Sequence, residues 1–264
     1  MRVALGVEYD GALFSGWQSQ THGNTVQDVL ERALSAVASV PVATVCAGRT
    51  DAGVHAVNQV VHFDVEVVRP DTAWVRGVNA NLPPAVAVCW ARQVSDDFHA
   101  RFSAKGRRYR YLLLNRPVRP AILQGKVGWY HAPLDLDAMR AAAELLIGEH
   151  DFSAFRSSEC QAKSPVRMLR MLNIDVQDDV LIFDLEANAF LQHMVRNLIG
   201  ALVYVGNGRQ KPDWVADVLA SRDRSKGAPT FDSAGLYLVG VEYEQKWMLP
   251  SAGRMMPPSF AISA

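Results

Sequence analysis

Hydrophobic periodicity divides this chain into two runs with the same element order, βαββαβ, and that repetition limits the folds open to it more than any other feature. The first run opens with a strand at Arg2 to Tyr9. A helix follows from Val26 to Val37, with Val26, Val29, Leu30, Ala33, Leu34 and Val37 on one face. Thr25 stands where an N-cap belongs, and Asp28 lies in the first turn. Strands at Val42 to Val45 and Val57 to Val65 flank a short loop, a helical stretch covers Thr72 to Ala80, and a strand at Val86 to Val94 closes the run.

The second run starts with a strand at Arg107 to Leu114 and a helix at Leu136 to Ile147. Asp178 and Asp179 separate strands at Val166 to Val176 and Val180 to Ala187. An amphipathic helix from Phe190 to Val205, a further helix from about Pro212, and a strand at Gly235 to Glu244 complete it. Two split βαβ units predict an α+β fold: two ferredoxin-like or RRM-like domains whose antiparallel sheets join into one extended sheet. The expected division is residues 1–100, residues 101–246, and an extended C-terminal tail at 247–264.

At 264 residues, 49% hydrophobic, the chain can bury a core for one large domain or two small ones. No basic-then-apolar leader is evident, and the most apolar stretch, Phe190 to Val205, is interrupted by Gln192, His193, Arg196 and Asn197. Neither a signal peptide nor a membrane span is expected, and a cytoplasmic location follows. Cys46, Cys89 and Cys160 are odd in number with no Cys-x-x-Cys pair, which argues against a disulfide framework and a structural zinc site. The spacing of His55, His62, His99 and His193 fits no zinc signature, so no metal is expected. No Gly-x-x-x-x-Gly-Lys occurs, so a nucleotide cofactor is not expected either.

Chemistry concentrates in Gly48-Arg49-Thr50-Asp51-Ala52-Gly53-Val54-His55, which sets one carboxylate beside one guanidinium in a glycine-bounded loop between strands. Gly48 and Gly53 permit backbone angles that a side chain would forbid. A lone Thr-Asp-Ala-Gly reads as an Asx-type turn; the full octapeptide is far more specific. The 27 basic and 27 acidic residues balance, so any nucleic-acid surface must come from their distribution. Arg101 to Tyr111 carries five cations and three aromatics in eleven residues, a mixture suited to phosphates and exposed bases, with Lys105, Arg107, Arg108 and Arg110 as candidate RNA backbone contacts. A second basic group is Arg222, Arg224 and Lys226. A solvated strand or loop face is the ordinary alternative for either cluster.

The octapeptide resembles the catalytic loop of the tRNA pseudouridine synthase A family. Three further segments follow in the family's order: Arg107-Arg108-Tyr109-Arg110-Tyr111, Phe190 to Asn197, and Phe231-Asp232-Ser233-Ala234-Gly235-Leu236-Tyr237-Leu238. The resemblance implies isomerisation of uridine to pseudouridine at positions 38, 39 and 40 in the anticodon arm of tRNA, by a homodimer without a cofactor. It implies Asp51 as the nucleophile and Arg196 as the guanidinium that pairs with it. Arg49 would reach RNA phosphate or fill the stack vacated by a flipped base, Tyr109 would stack on the target uracil, and Leu236 would form an apolar wall under it. A flipped uridine would enter an active-site cleft between the two domains. Two other readings compete: a noncatalytic RNA-binding module on the same scaffold, and an Asp-dependent nucleoside or glycoside hydrolase. The hydrolase would usually need a second carboxylate within reach, and Asp64 and Glu66 are a strand away from Asp51.

Overall fold

The computed structural model describes residues 1–250. The expected tail therefore lies outside the described residues from 251 on. In chain order the elements are β1 (Arg2–Tyr9), α1 (Val26–Ala38), β2 (Val45–Cys46), β3 (His55–Asp64), α2 (Asp71–Asn79), β4 (Val86–Val94) and β5 (Ala104–Asn115). They continue as β6 (Gly128–Tyr130), α3 (Leu136–Glu144), β7 (Gly148–Asp151), β8 (Val166–Gln177), β9 (Val180–Ala187), α4 (Met194–Gly206), α5 (Trp214–Ser221) and β10 (Leu236–Tyr243). No helix among the described residues is long and apolar enough to cross a membrane.

Two compact units emerge among the described residues: Met1–Lys105 with 237–250, and Gly106–Leu236. Most of β10, which the sequence reading placed with the second run, groups by its contacts with the first unit. In that unit β1 lies between β3 and β4, antiparallel to both, while β10 runs parallel to β3 with Tyr237 opposite His55. Alternation along β1 buries Val3, Leu5 and Val7 toward one side of the sheet and Ala4 toward the other. Phe63 packs edge-on to Trp74 at 5.1 Å. The Ala4 side is closed by Val60, Phe98 and Ala100, with Trp90, Tyr243, Trp247 and Leu249 against them. Thr25 caps α1 as expected, its hydroxyl accepting from the Asp28 amide.

His62, in the middle of β3, is buried among these groups. The Ala100 amide donates to its Nδ1 at 3.1 Å, and its ring lies 4.9 Å from that of His99. Burial first, then the charges of Arg2 and His99, depress the imidazole pKa to about 4. The unfolded chain takes up this proton near pH 6.5 and the folded chain does not, so stability is complete above pH 6.5 and declines as pH falls toward 4. The expected loss is about 2 kcal/mol, below the full shift because solvent screens the neighbouring charges. Urea midpoints measured across that window for wild type and His62→Gln check it; parallel curves would assign the loss elsewhere.

In the second unit the strands run β5-β9-β8-β7, antiparallel throughout, with β6 added parallel to β5. Asp178, at φ 52°, turns the chain between β8 and β9. Asp135 caps α3 through the Ala138 amide, and α3 packs on α4. Leu198, Ile199, Ala201 and Leu202 of α4 are fully buried.

Four local differences separate the structure from the sequence reading. Phe190 to His193 are not helical, because His193 takes φ 63° and α4 starts only at Met194. The strand before the Asp51 loop is Val45–Cys46, not Val42 to Val45. The helix α3 stops at Glu144, short of Ile147. Two short strands, β6 and β7, were not anticipated.

Candidate active-site residues

The Asp51 loop links β2 to β3 and is braced through its main chain. After β2 the ladder continues from the Ala47 amide to the Val60 carbonyl, at 2.8 Å. Gln59, fully buried on β3, then takes the role of a further strand: its Nε2 donates to the Gly48 carbonyl at 2.6 Å and its Oε1 accepts from the Gly48 amide at 3.3 Å. The hydroxyls of Tyr9 and Thr50 share a buried hydrogen bond of 2.7 Å, and the Trp17 amide donates to the Thr50 carbonyl at 3.0 Å. Asp51 to Val54 form a turn closed by the Val54 amide on the Asp51 carbonyl, at 3.2 Å. Gly53 supplies its left-handed φ of 79°. Gly48 has no such angle; its function is the double bond to Gln59.

The loop leaves Asp51 half-buried and Arg49 exposed. The charges of Arg49 and Arg101 both act on the Cys46 thiol, drawing its pKa down, while burial outweighs them and pushes it up to about 12. Cys46 is thus a protonated core thiol rather than a nucleophile.

In the second unit Tyr109 is buried on β5, its ring edge-on to Phe190 at 5.0 Å. Arg196, in the first turn of α4, donates from Nε to the Phe231 carbonyl at 2.8 Å, and the Phe231 amide donates back to the Arg196 carbonyl at 3.2 Å. The Tyr111 hydroxyl donates to the Asp232 carbonyl at 2.8 Å. Burial, helped by the Asp232 charge and opposed by that of Arg196, raises the Tyr111 pKa far above its ordinary value. Tyr111 thus stays a neutral donor that pins the segment leading to Leu236, itself buried. The structure therefore gathers Arg196, Tyr111 and the Phe231–Leu236 segment around one end of α4, and Tyr109 shares the sheet face of Tyr111.

The basic residues chosen as RNA contacts have partners within the protein. Arg108 pairs with Glu186 at 2.7 Å, Arg110 forms a two-pronged bridge to Asp184 at 2.7 Å, Lys105 lies 3.0 Å from Glu244, and Arg107 donates to the Asn188 carbonyl at 3.1 Å. Each β5–β9 pair is set by register, with Arg108 opposite Glu186 and Arg110 opposite Asp184. No group of three His, Cys, Asp or Glu side chains that could hold a metal occurs among the described residues.

The family model described as "tRNA pseudouridine synthase" matches residues 6–103 and 142–244. The chain belongs to the tRNA pseudouridine synthase family. Among its relatives are tRNA pseudouridine synthase A of Dechloromonas aromatica, 62% identical over 95% of this chain and 95% of that protein, and the protein of the same name from Aromatoleum aromaticum, 60% identical over 97% of each. A third, tRNA pseudouridine synthase A of Chromobacterium violaceum, is 62% identical over 95% of this chain and 96% of the relative. The chain is accordingly an enzyme of this family, forming pseudouridine in tRNA.

Two residues with a clear part in the site were invisible to motif reading: Gln59 and Tyr9. Gln59 carried the one usable signal, an amide inside the apolar strand Ala56 to Phe63, since a buried amide must find partners. Gln59→Leu removes both bonds and leaves the Gly48 amide and carbonyl unsatisfied. The expected cost is about 2 kcal/mol, a fall in Tm of roughly 4–8 °C, together with a lower kcat because the loop loses its first brace. Thermal unfolding and single-turnover rates on one preparation check both effects.

Proposed function

We propose that this enzyme isomerises uridine to pseudouridine at positions 38, 39 and 40 of the anticodon stem-loop of tRNA, with Asp51 as the nucleophile toward a flipped base. The observation that carries the reading is the braced Asp51 loop in a chain of this family: a half-buried carboxylate on a loop held by Gln59, Tyr9 and Trp17. The reaction breaks the bond from uracil N1 to ribose C1′ and rejoins the ring through C5. The uridine keeps its composition, the C5 proton being exchanged for one at N1. A held carboxylate serves such a step by adding to the substrate or by supporting positive charge on the sugar. Extrusion of the nucleotide exposes C1′ and the uracil face.

Within this reading Arg49, two residues from the nucleophile, meets RNA phosphate or the vacated stack, and Tyr109 offers its ring to the uracil. Arg196 serves as the ion-pair partner of the nucleophile, and Leu236 is the apolar wall beneath the base. A-form RNA hides its base edges in a deep groove, so recognition rests on shape and backbone. The same reading carries a cytoplasmic homodimer, which light scattering of the purified chain and fractionation of cells test.

The deciding experiment is tritium release from tRNA transcripts labelled at uridine C5, with anticodon-arm uridines changed one at a time. Release that disappears only when the uridines at 38, 39 and 40 are changed is the expected result. Release that persists without them would place the target elsewhere.

A further inference from the structure

Outside the groups assigned so far, the second unit contains an open polar pocket of about 440 Å³. Its lining includes Arg224, Gly227, Thr230, Ser157, Ser158 and His193. Arg224 belongs to the second basic group of the sequence, Arg222, Arg224 and Lys226, which the catalytic reading does not use.

Three observations define the chemistry of this pocket. First, Arg224 is a half-buried cation whose partners are neutral: Nη2 donates to Asn197 Oδ1 at 3.0 Å and to Thr230 Oγ1 at 3.2 Å, and among the described residues no carboxylate pairs with it. The neighbouring Asp223 spends its carboxylate on the amide and hydroxyl of Ser225. Desolvation without an opposing anion accordingly lowers the Arg224 pKa. Second, the guanidinium is held rather than loose. Asn197 is buried, its Nδ2 donates to the Phe155 carbonyl at 2.8 Å, and Thr230 donates to the same Oδ1 at 2.7 Å. The Nε and Nη1 groups have no acceptor among the described residues, and Nη1 borders Gly227, where a Cβ would come within 3.1 Å of it. Third, the pocket meets the start of α4 at His193, and that helix has neither a side-chain cap nor an acidic residue in its first turn.

By contrast, Lys105, Arg108 and Arg110 already face carboxylates of their own protein. A fixed guanidinium fork, unneutralised, flanked by hydroxyls and by the positive end of a helix, fits a tetrahedral oxyanion.

We propose that this pocket binds one backbone phosphodiester of the substrate RNA, with Arg224 donating through Nε and Nη1. The proposal rests on the tRNA reading above and deepens it by assigning a phosphate contact on the second unit. Ser157 and Ser158 contribute hydroxyls, and the Asn197 amide acts as the positioning group that aims the guanidinium. Because the contact is to phosphate, it adds affinity without reading sequence.

The test is tRNA affinity measured across a salt series, with KM and kcat from tritium release measured in parallel. Arg224→Gln removes the charge, and Gly227→Leu keeps the charge but fills the pocket against Nη1, covering that donor. Both are expected to weaken tRNA binding about tenfold and to reduce the slope of log affinity against log salt by about one. KM rises correspondingly and kcat stays within about twofold, while Arg224→Lys retains most of the slope. Unchanged affinity and slope in both variants, each folded by thermal melt, would overturn the proposal. Inorganic phosphate is expected to displace tRNA better than chloride at equal ionic strength, and this selectivity is expected to vanish in Arg224→Gln. Phosphate binding that depends on Arg224 but leaves tRNA affinity untouched would make this a site for a free anion and overturn the RNA assignment. Wild-type tritium release separates the two readings: turnover with an unaltered slope removes the pocket alone, and a reduced slope without turnover removes the isomerase reading alone.

Discussion

Asp51→Asn is expected to lower kcat for tritium release by about 10⁴-fold or more while leaving tRNA affinity within a few-fold of wild type. The substitution keeps the size and planarity of the side chain and removes its charge and nucleophilicity. The loop is braced through the Asp51 carbonyl, the Thr50 carbonyl and hydroxyl, and both polar groups of the Gly48 backbone. Those braces are untouched by the substitution, so the expected loss falls on chemistry. Measuring kcat and tRNA affinity on one preparation, with Tm as a control, separates a chemical role from a folding role. A variant that turned over within tenfold of wild type would remove Asp51 from the mechanism and return it to the status of a turn residue. Loss of affinity and Tm together with rate would mean that the carboxylate holds the loop rather than attacks the substrate.

Legibility in the sequence followed how local the determining interaction is. The helix α1 was readable because its signals lie within a turn of one another: the Thr25 cap, Asp28 beside it, and an apolar stripe every three or four residues. The hairpin of β8 and β9 was readable because two aspartates interrupt two apolar runs. By contrast β6, three residues long, exists as a strand because Leu113 to Asn115 of β5 accept it in parallel, and no alternation survives in three residues. The start of α4 was misplaced because Phe190 and Leu191 extend its apolar stripe backward. Only the left-handed His193 marks the true end, and helical periodicity carries no sign of such an angle.

The same rule separates the site residues. Asp51, Arg49 and Gly53 share one octapeptide, and a short motif reports them. The carboxylates facing Arg108 and Arg110 sit 78 and 74 residues away, and what couples them is strand register. A run of cations was therefore readable as basic, while its internal neutralisation was not. This also redirects attention from the densest basic cluster to the sparser one. Arg224, with one exposed lysine and one arginine near it in sequence, carries the less compensated charge because its burial brings it against Asn197 and Thr230 instead of an acid.

Gly11→Ala is expected to be the most disruptive single-methyl addition near the catalytic loop. Gly11 opens a short 3-10 turn after β1, and a Cβ built on it would collide with the carbonyl oxygen and carbon of Val54. Both atoms are backbone, so no side-chain rotation relieves the contact. The residue itself has no positive φ, which makes the cost one of packing rather than of local strain. Either the turn retreats, breaking the bond from the Gly11 amide to His55 Nδ1 at 3.0 Å, or the Val54 peptide moves and takes the Asp51–Val54 turn with it. The expected loss is about 3–5 kcal/mol, with kcat reduced at least tenfold in whatever fraction stays folded, because a nucleophile displaced by a fraction of an ångström loses its alignment. Gly23→Ala is the matched control. That glycine has φ 69° and nothing within 4 Å of the added methyl, so only the left-handed backbone is penalised, at about 1 kcal/mol. Denaturant unfolding and single-turnover rates of the two variants decide the matter. If Gly11→Ala cost no more than Gly23→Ala and retained full kcat, the close approach of the two backbones would be no constraint on the loop that presents Asp51.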